Sequence, residues 1–163
     1  MNAPADPRLI LREDELDTGL ELLMLSEAAL WAAVDQGLDA EDQGLGRSHW
    51  RACFLLRRRP GIGVQELAHL TSLSKQAASR ILVDLAAKGM VEKAAGDLDG
   101  RRRTAVLTDK GLAFEAAVSE RLRGLIGRAY RAGGLDGVAG ARRILAALAG
   151  GRTRSPNTGG GPA

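Results

Sequence analysis

Residues 74–88 carry the side chains best suited to chemistry in this chain. At helical spacing Ser74, Lys75, Gln76, Ser79 and Arg80 share one side, while Ala78, Ile81, Leu82 and Leu85 share the other. The polar side reads as free of acid. Lys75 and Arg80 can donate to guanine O6 and N7 or to phosphate oxygens, and Gln76 can pair with adenine N6 and N7 or bond a phosphate. Ser74, Ser79 and the nearby Thr71 are short donors suited to a phosphate backbone. A second cluster, Arg101, Arg102 and Arg103, follows Asp97 and Asp99 in a polar turn. Strand alternation cannot send all three arginines to one side. Arg101 is the candidate for a minor groove, and Arg102 or Arg103 for a phosphate. Asp99 suits a charge-assisted bond that orients an arginine or the turn. Taken singly, each of these residues also fits a solvent-facing helix or hairpin tip.

The elements that must position them follow from periodicity. Residues 1–12 contain Pro4 and Pro7 and read as a loose arm. Over 14–37, Leu16, Leu20, Leu23, Leu30, Trp31 and Val34 recur at helical spacing, and 39–46 reads as a loop. A second helix fits 47–58, with Trp50, Cys53 and Phe54 inward; Arg57, Arg58 and Arg59 read as its solvated C-terminal end, and Pro60-Gly61 stops it. Residues 64–71 make a short helix. Ser74 is placed to cap the next one and Gly89 to end it. Runs 90–94 and 104–108 read as strands of a hairpin. Thr108 then caps a long helix, with Phe114, Val118, Leu122, Leu125 and Ala129 as its stripe. Gly133-Gly134 breaks that helix before a last one over 135–149, and 150–163 has the composition of a disordered tail. Two helices on a short turn, followed by a hairpin, make a winged helix-turn-helix.

Charge supports a polyanion-facing centre. The net charge of +3 hides 2 basic against 11 acidic residues over 1–43, 13 against 6 over 44–110, and 8 against 3 over 111–163. An acidic N-terminal region therefore adjoins a basic middle. With 45% apolar residues the chain can bury a core, and with 3% aromatics that core is expected to be helical. The single cysteine allows no intramolecular disulfide. The N-terminus shows no basic start with an apolar run, and no apolar stretch approaches the ~18 residues of a membrane span. The expectation is a cytoplasmic protein without a membrane partner.

Residues 45–111 resemble the MarR family, the multiple-antibiotic-resistance type regulators. The stretches that carry the resemblance are RSHWRA (47–52), RPGIGVQELA (59–68), LSKQAASRILVDL (73–85), KGMVE (88–92) and DGRRRTAVLTDKG (99–111). Gly100 departs from a wing position that is often basic in the family, and Ala77-Ala78 makes the helix N-terminus smaller than usual. The resemblance implies a homodimer with interlocking terminal helices, a pseudo-palindromic operator, and repression that a small-molecule effector often relieves. It places the groove-reading helix on 74–88 and the wing's Asp-x-Arg pattern on Asp99 and Arg101.

The expected class is therefore mainly α with a small β-hairpin wing, a winged helix-turn-helix with N- and C-terminal dimerisation helices. Its expected divisions are 1–43 (arm and dimerisation helix), 44–111 (DNA-binding domain), 112–149 (dimerisation helices) and 150–163 (tail). Expected partners are double-stranded DNA and a second copy of the chain. The terminal helices have broad apolar stripes and little domain to bury them, which independently favours a partner copy. Trp31, Trp50 and Cys53 are candidates for lining an effector pocket, although aromatics at this spacing are more often core. His49, Cys53 and His69 are too few and too scattered for a metal site, and a sensor role for Cys53 would need an accessible, acidified thiol. No cofactor motif, catalytic triad or paired-carboxylate arrangement is visible, so an enzyme is not expected. The competing reading is a winged-helix module that docks a protein partner.

Overall fold

The computed structural model describes residues 9–94 and 104–150. Five helices and one hairpin follow in the order α1 (Glu13–Glu41), α2 (Arg47–Arg58), α3 (Val64–Thr71), α4 (Lys75–Ala87), β1 (Val91–Lys93), β2 (Ala105–Leu107) and α5 (Asp109–Ala149). The mainly helical fold with a small hairpin matches the expected winged helix-turn-helix.

Local chemistry sets the turn between α3 and α4. Ser72 takes a left-handed conformation (φ 58°), and the Leu73 N–H reaches back to the Ala68 carbonyl at 3.0 Å. This six-residue closure satisfies the end of α3 and turns the chain sharply. Ser74 then caps α4, its Oγ accepting from the Ala77 N–H at 3.1 Å. The far end of α4 repeats the device. Gly89 sits at φ 71°, and the Met90 N–H bonds the Leu85 carbonyl at 2.9 Å. The hairpin is antiparallel, with Val91 opposite Leu107 and Lys93 opposite Ala105, and Gly63 bridges to Thr104 on its other side.

The start of α5 is stapled to the end of α4. Thr108 Oγ1 donates to the Gly89 carbonyl at 2.6 Å and accepts from the Gly111 N–H at 3.2 Å, while Lys110 Nζ donates to the Lys88 carbonyl at 2.8 Å. Gly111 is required here, because a Cβ would overlap the Met90 carbonyl. The long helix runs on to Gly134, where φ 66° and ψ −177° break it before it continues to Ala149. The break falls where Gly133-Gly134 predicted it.

The core joins Val34 of α1, Trp50, Cys53 and Leu56 of α2, Leu67 of α3, Ile81 and Leu85 of α4, Met90 and Val91, and Phe114 and Val118 of α5. It therefore crosses the expected division at residues 43/44 and at 111/112. By contrast, Leu16, Leu20 and Leu23 of α1 and Leu135, Ile144 and Leu148 of α5 are exposed.

Two sequence expectations need correction. The loop over 39–46 is shorter, since α1 continues to Glu41 and closes at Asp42 in a left-handed conformation (φ 46°). Gly37 did not stop the helix: it is buried, and an added Cβ would sit 3.0 Å from the Val118 Cα. It lets α5 approach α1 rather than ending α1. The run Arg57, Arg58, Arg59 is also not a uniformly solvated terminus. Arg58 is exposed, but Arg57 Nε lies 2.6 Å from a carboxylate oxygen of the fully buried Glu115, and Arg59 faces Glu66 at 3.7 Å.

Candidate nucleic-acid interface

Helix α4 is held down by one face and presents the other. Ala78, Ile81 and Leu85 are buried in the core, while Lys75, Gln76 and Arg80 are exposed and Ser79 is half-buried. Lys75, Gln76, Ser79, Arg80, Val83 and Asp84 line one open, shallow depression. The exposed side chains thus converge where helical spacing placed them. Ser74 is exposed at the head of this face, with its hydroxyl already committed as an acceptor to the cap.

Thr71 must be removed from the set. It is buried, and its hydroxyl donates to the Leu67 carbonyl at 2.7 Å and also approaches the Ala68 carbonyl at 3.3 Å. A threonine in the last turn of a helix satisfies itself on the carbonyls three and four residues back, so no donor is left for a phosphate.

Two residues join the face that sequence reasoning missed. Val83 is an exposed apolar side chain, and Asp84 puts an acid on a side read as acid-free. Both are four residues beyond assigned members, Ser79 and Arg80, so extending the same spacing by one turn would have found them. Asp84 is tethered. His49 Nδ1 accepts the Gly46 N–H at 3.0 Å, which leaves the other ring nitrogen, Nε2, to donate to Asp84 Oδ2 at 3.3 Å. His49 therefore joins the start of α2 to the outer turn of α4 and restrains the one carboxylate in the depression.

The hairpin is paired as far as Ala94, whose N–H bonds the Thr104 carbonyl at 3.2 Å. Asp99, Arg101, Arg102 and Arg103 lie outside the described residues, as do the arm 1–8 and the tail from 151.

The suggested effector-pocket residues come together, but as packing. Trp31 and Trp50 meet edge to face at 6.4 Å, and Trp50 lies 5.7 Å from Phe54. The Trp50 indole N–H donates to Ser119 Oγ at 3.0 Å. Trp31 is half-buried, with the Arg47 and Arg51 guanidinium groups 5.1 and 5.8 Å from its ring centroid. Arg47 also forks onto Asp35 at 2.8 and 2.6 Å, which fastens α2 to α1 and holds the Asp35 carboxyl below its ordinary range. Cys53 is fully buried. Burial, with the charge of Glu115 adding to it, pushes its thiol up to about 12, so it lacks both requirements of a reactive sensor.

Comparisons with known proteins agree with this geometry. Residues 43–102 match the MarR family model. The chain is 36% identical over 140 residues to the HTH-type transcriptional regulator PetP of Rhodobacter capsulatus, covering 86% of this chain and 83% of that protein. Its fold is similar to NadR in complex with 4-hydroxyphenylacetate, with a TM-score of 0.70 at 20% identity over 91% of this chain and 99% of that one. It is also similar to the Mycobacterium tuberculosis MarR family protein Rv2887 in complex with DNA, with a TM-score of 0.57 at 25% identity over 78% and 94% of the two chains.

Proposed function

We infer, starting from the fact that this chain belongs to the MarR family of winged helix-turn-helix transcriptional regulators, that it is a homodimeric repressor reading a pseudo-palindromic operator. The single observation that carries the reading is the outward-facing stripe of exposed Lys75, Gln76 and Arg80 with half-buried Ser79, on a helix whose opposite side is locked into the core. Such a helix fits a major groove, with its N-terminal residues nearest the base edges. Gln76 and Arg80 are assigned to bases, and Lys75, Ser74 and Ser79 to the backbone. The wing, through Arg101 with Asp99 as its support, is assigned to the adjacent minor groove, and Arg102 and Arg103 to phosphates. Rv2887, solved with DNA, supports the docking mode by likeness.

Dimerisation supplies the second half-site reader. The exposed Leu16, Leu20 and Leu23 of α1 and Leu135, Ile144 and Leu148 of α5 each stand to gain about 1.5–3 kcal/mol on full burial. A second copy of the same arms is self-complementary cover. Release by a small-molecule effector completes the reading, supported by the likeness to NadR bound to 4-hydroxyphenylacetate.

The test is selection of bound fragments from random duplex DNA, followed by titration of the winner against salt. A two-fold related consensus is expected, with affinity that falls steeply as salt rises because phosphate neutralisation releases counterions. No consensus and a flat salt dependence would favour the competing reading, a winged-helix module that docks a protein.

A further inference from the structure

The least expected group in the molecule is a carboxylate. Glu115 has no exposed surface, although it sits in the second turn of α5 among Phe114 and Val118. Ser119, one turn further on and also buried, donates its hydroxyl to Glu115 Oε1 at 2.5 Å. The Trp50 indole donates to the same hydroxyl at 3.0 Å. From the other side Arg57 Nε stands 2.6 Å from Glu115 Oε2, a close ion contact whose angle is too poor for an aligned hydrogen bond. Arg123 lies 3.7 Å away from Oε1. A continuous polar chain thus runs from Trp50 through Ser119 and Glu115 to Arg57. It ties two points of α2, seven residues apart on one face, to two points of α5, four apart on one face. Through the edge-to-face contact of Trp50 with Trp31 it also meets α1.

Burying a carboxylate is costly unless it is paired, and an apolar pair of similar volume would hold two helices together at least as well. What the ionic cluster adds is a defined geometry. Leucine packing tolerates sliding and rotation, whereas a buried carboxylate keeps its hydroxyl donor and its guanidinium counter-charge both in contact over only a narrow range of helix positions. The cluster lies where the DNA-reading lobe, entered through α2, joins the arm formed by α5. Any rotation there is multiplied along the arm before it reaches a second lobe.

We propose that Glu115, with Arg57, Ser119 and Trp50, is a positioning cluster that fixes the angle between the reading lobe and the α5 arm, and thereby the half-site spacing the dimer accepts. The spacing part rests on the homodimeric, DNA-reading function above. The angular part does not.

The experiment separates the two. Spin labels are placed on Ser79→Cys and Arg128→Cys of one chain, diluted into an excess of unlabelled chain so that only the intrachain distance is read. Cys53 stays unlabelled because it is buried and its thiol is protonated. A single narrow distance is expected. Glu115→Gln, which keeps the shape and removes the charge, should widen it about twofold, and Ser119→Ala, which cuts the link to Trp50, should widen it less. Where Glu115→Gln fails to fold by circular dichroism, Ser119→Ala and Arg57→Lys decide. Distance widths identical to the parent in the folded variants overturn the proposal.

The second arm uses duplexes carrying the selected half-site at centre spacings changed by one or two base pairs. Glu115→Gln should lose about tenfold at the best spacing and little elsewhere, flattening the profile, because simultaneous engagement depends on geometry. An equal loss at every spacing overturns the spacing role and leaves only a stability effect. A parent protein that selects no sequence defeats the operator-reading function, while the distance measurement still judges the cluster.

Discussion

The reading lobe and the arms treat their apolar residues in opposite ways. In the lobe, α2, α3 and α4 spend theirs on one another and on the inner parts of α1 and α5, so that Trp50, Leu56, Leu67, Ile81 and Leu85 are buried and the outward side of α4 is left to polar groups apart from Val83. Along the first half of α1 and the last part of α5, leucines and isoleucines at the same helical spacing stay exposed. Periodicity alone is therefore ambiguous about its target. It says that a helix has an apolar side, and only the neighbours present decide whether that side meets the same chain or another one.

The sharpest way to break this comparison is a matched pair of truncations. Leu85→Ala, in the fully buried side of α4, should destabilise the fold by about 2–5 kcal/mol. Leu20→Ala, on the exposed arm, should leave denaturant unfolding of the lobe little changed and instead raise the dimer dissociation constant, read by sedimentation equilibrium. Equal loss of fold stability from both would mean the arms are not distinct from the lobe.

Within the lobe, Arg80→Ala should cost about 1–3 kcal/mol of operator binding and relax preference at one base position. Titration against a panel of single-base operator variants checks this, and an unchanged panel would show that the outward side of α4 is not the reading side. Ser74→Ala removes the cap on the Ala77 N–H and should lower fold stability by about 1 kcal/mol. Its effect on binding should come through the ordering of Lys75 and Gln76, so calorimetric unfolding and binding should weaken together.

The smallest effect at neutral pH concerns Cys53. Its thiol, pushed up to about 12 in the folded chain by burial and by Glu115, ionises at ~8.5 when unfolded. The proton is thus held more tightly in the folded state. Its contribution to stability is fully present below the unfolded value and is lost as pH rises toward 12. Cys53→Ala should therefore show a shallower alkaline decline than the parent. In the native parent at pH 8, alkylation should proceed only as fast as the protein unfolds.

Much of the lobe was legible because it is built from short-range signals. Ser74, Gly89, Thr108 and Gly134 each act through hydrogen bonds or dihedral angles within a few residues, or in the case of Thr108 through a local cap, and each stands where it was expected. The exposed side of α4 was legible for the same reason, short of one turn. Thr71 was misplaced because a hydroxyl's preferred partner depends on whether the backbone carbonyls behind it are already within reach. The end of α1 was set short, at 37, because a glycine suits both a helix end and a close helix contact, and only the approach of Val118 distinguishes them.

By itself the sequence determined the order of the elements, their caps and breaks, the basic centre and the membership of a family, since all of these reside in local spacing and composition. Tertiary structure alone decided which charges are spent inside. Arg57 belongs to a run of three arginines and Glu115 to a helix, 58 positions apart in the chain; nothing local pairs them, and only the crossing of α2 with α5 brings their charges to 2.6 Å. His49 and Asp84 were joined in the same way, by the packing of α2 on α4. Long-range pairing of charge has no period to read, because its partners are chosen by where helices cross.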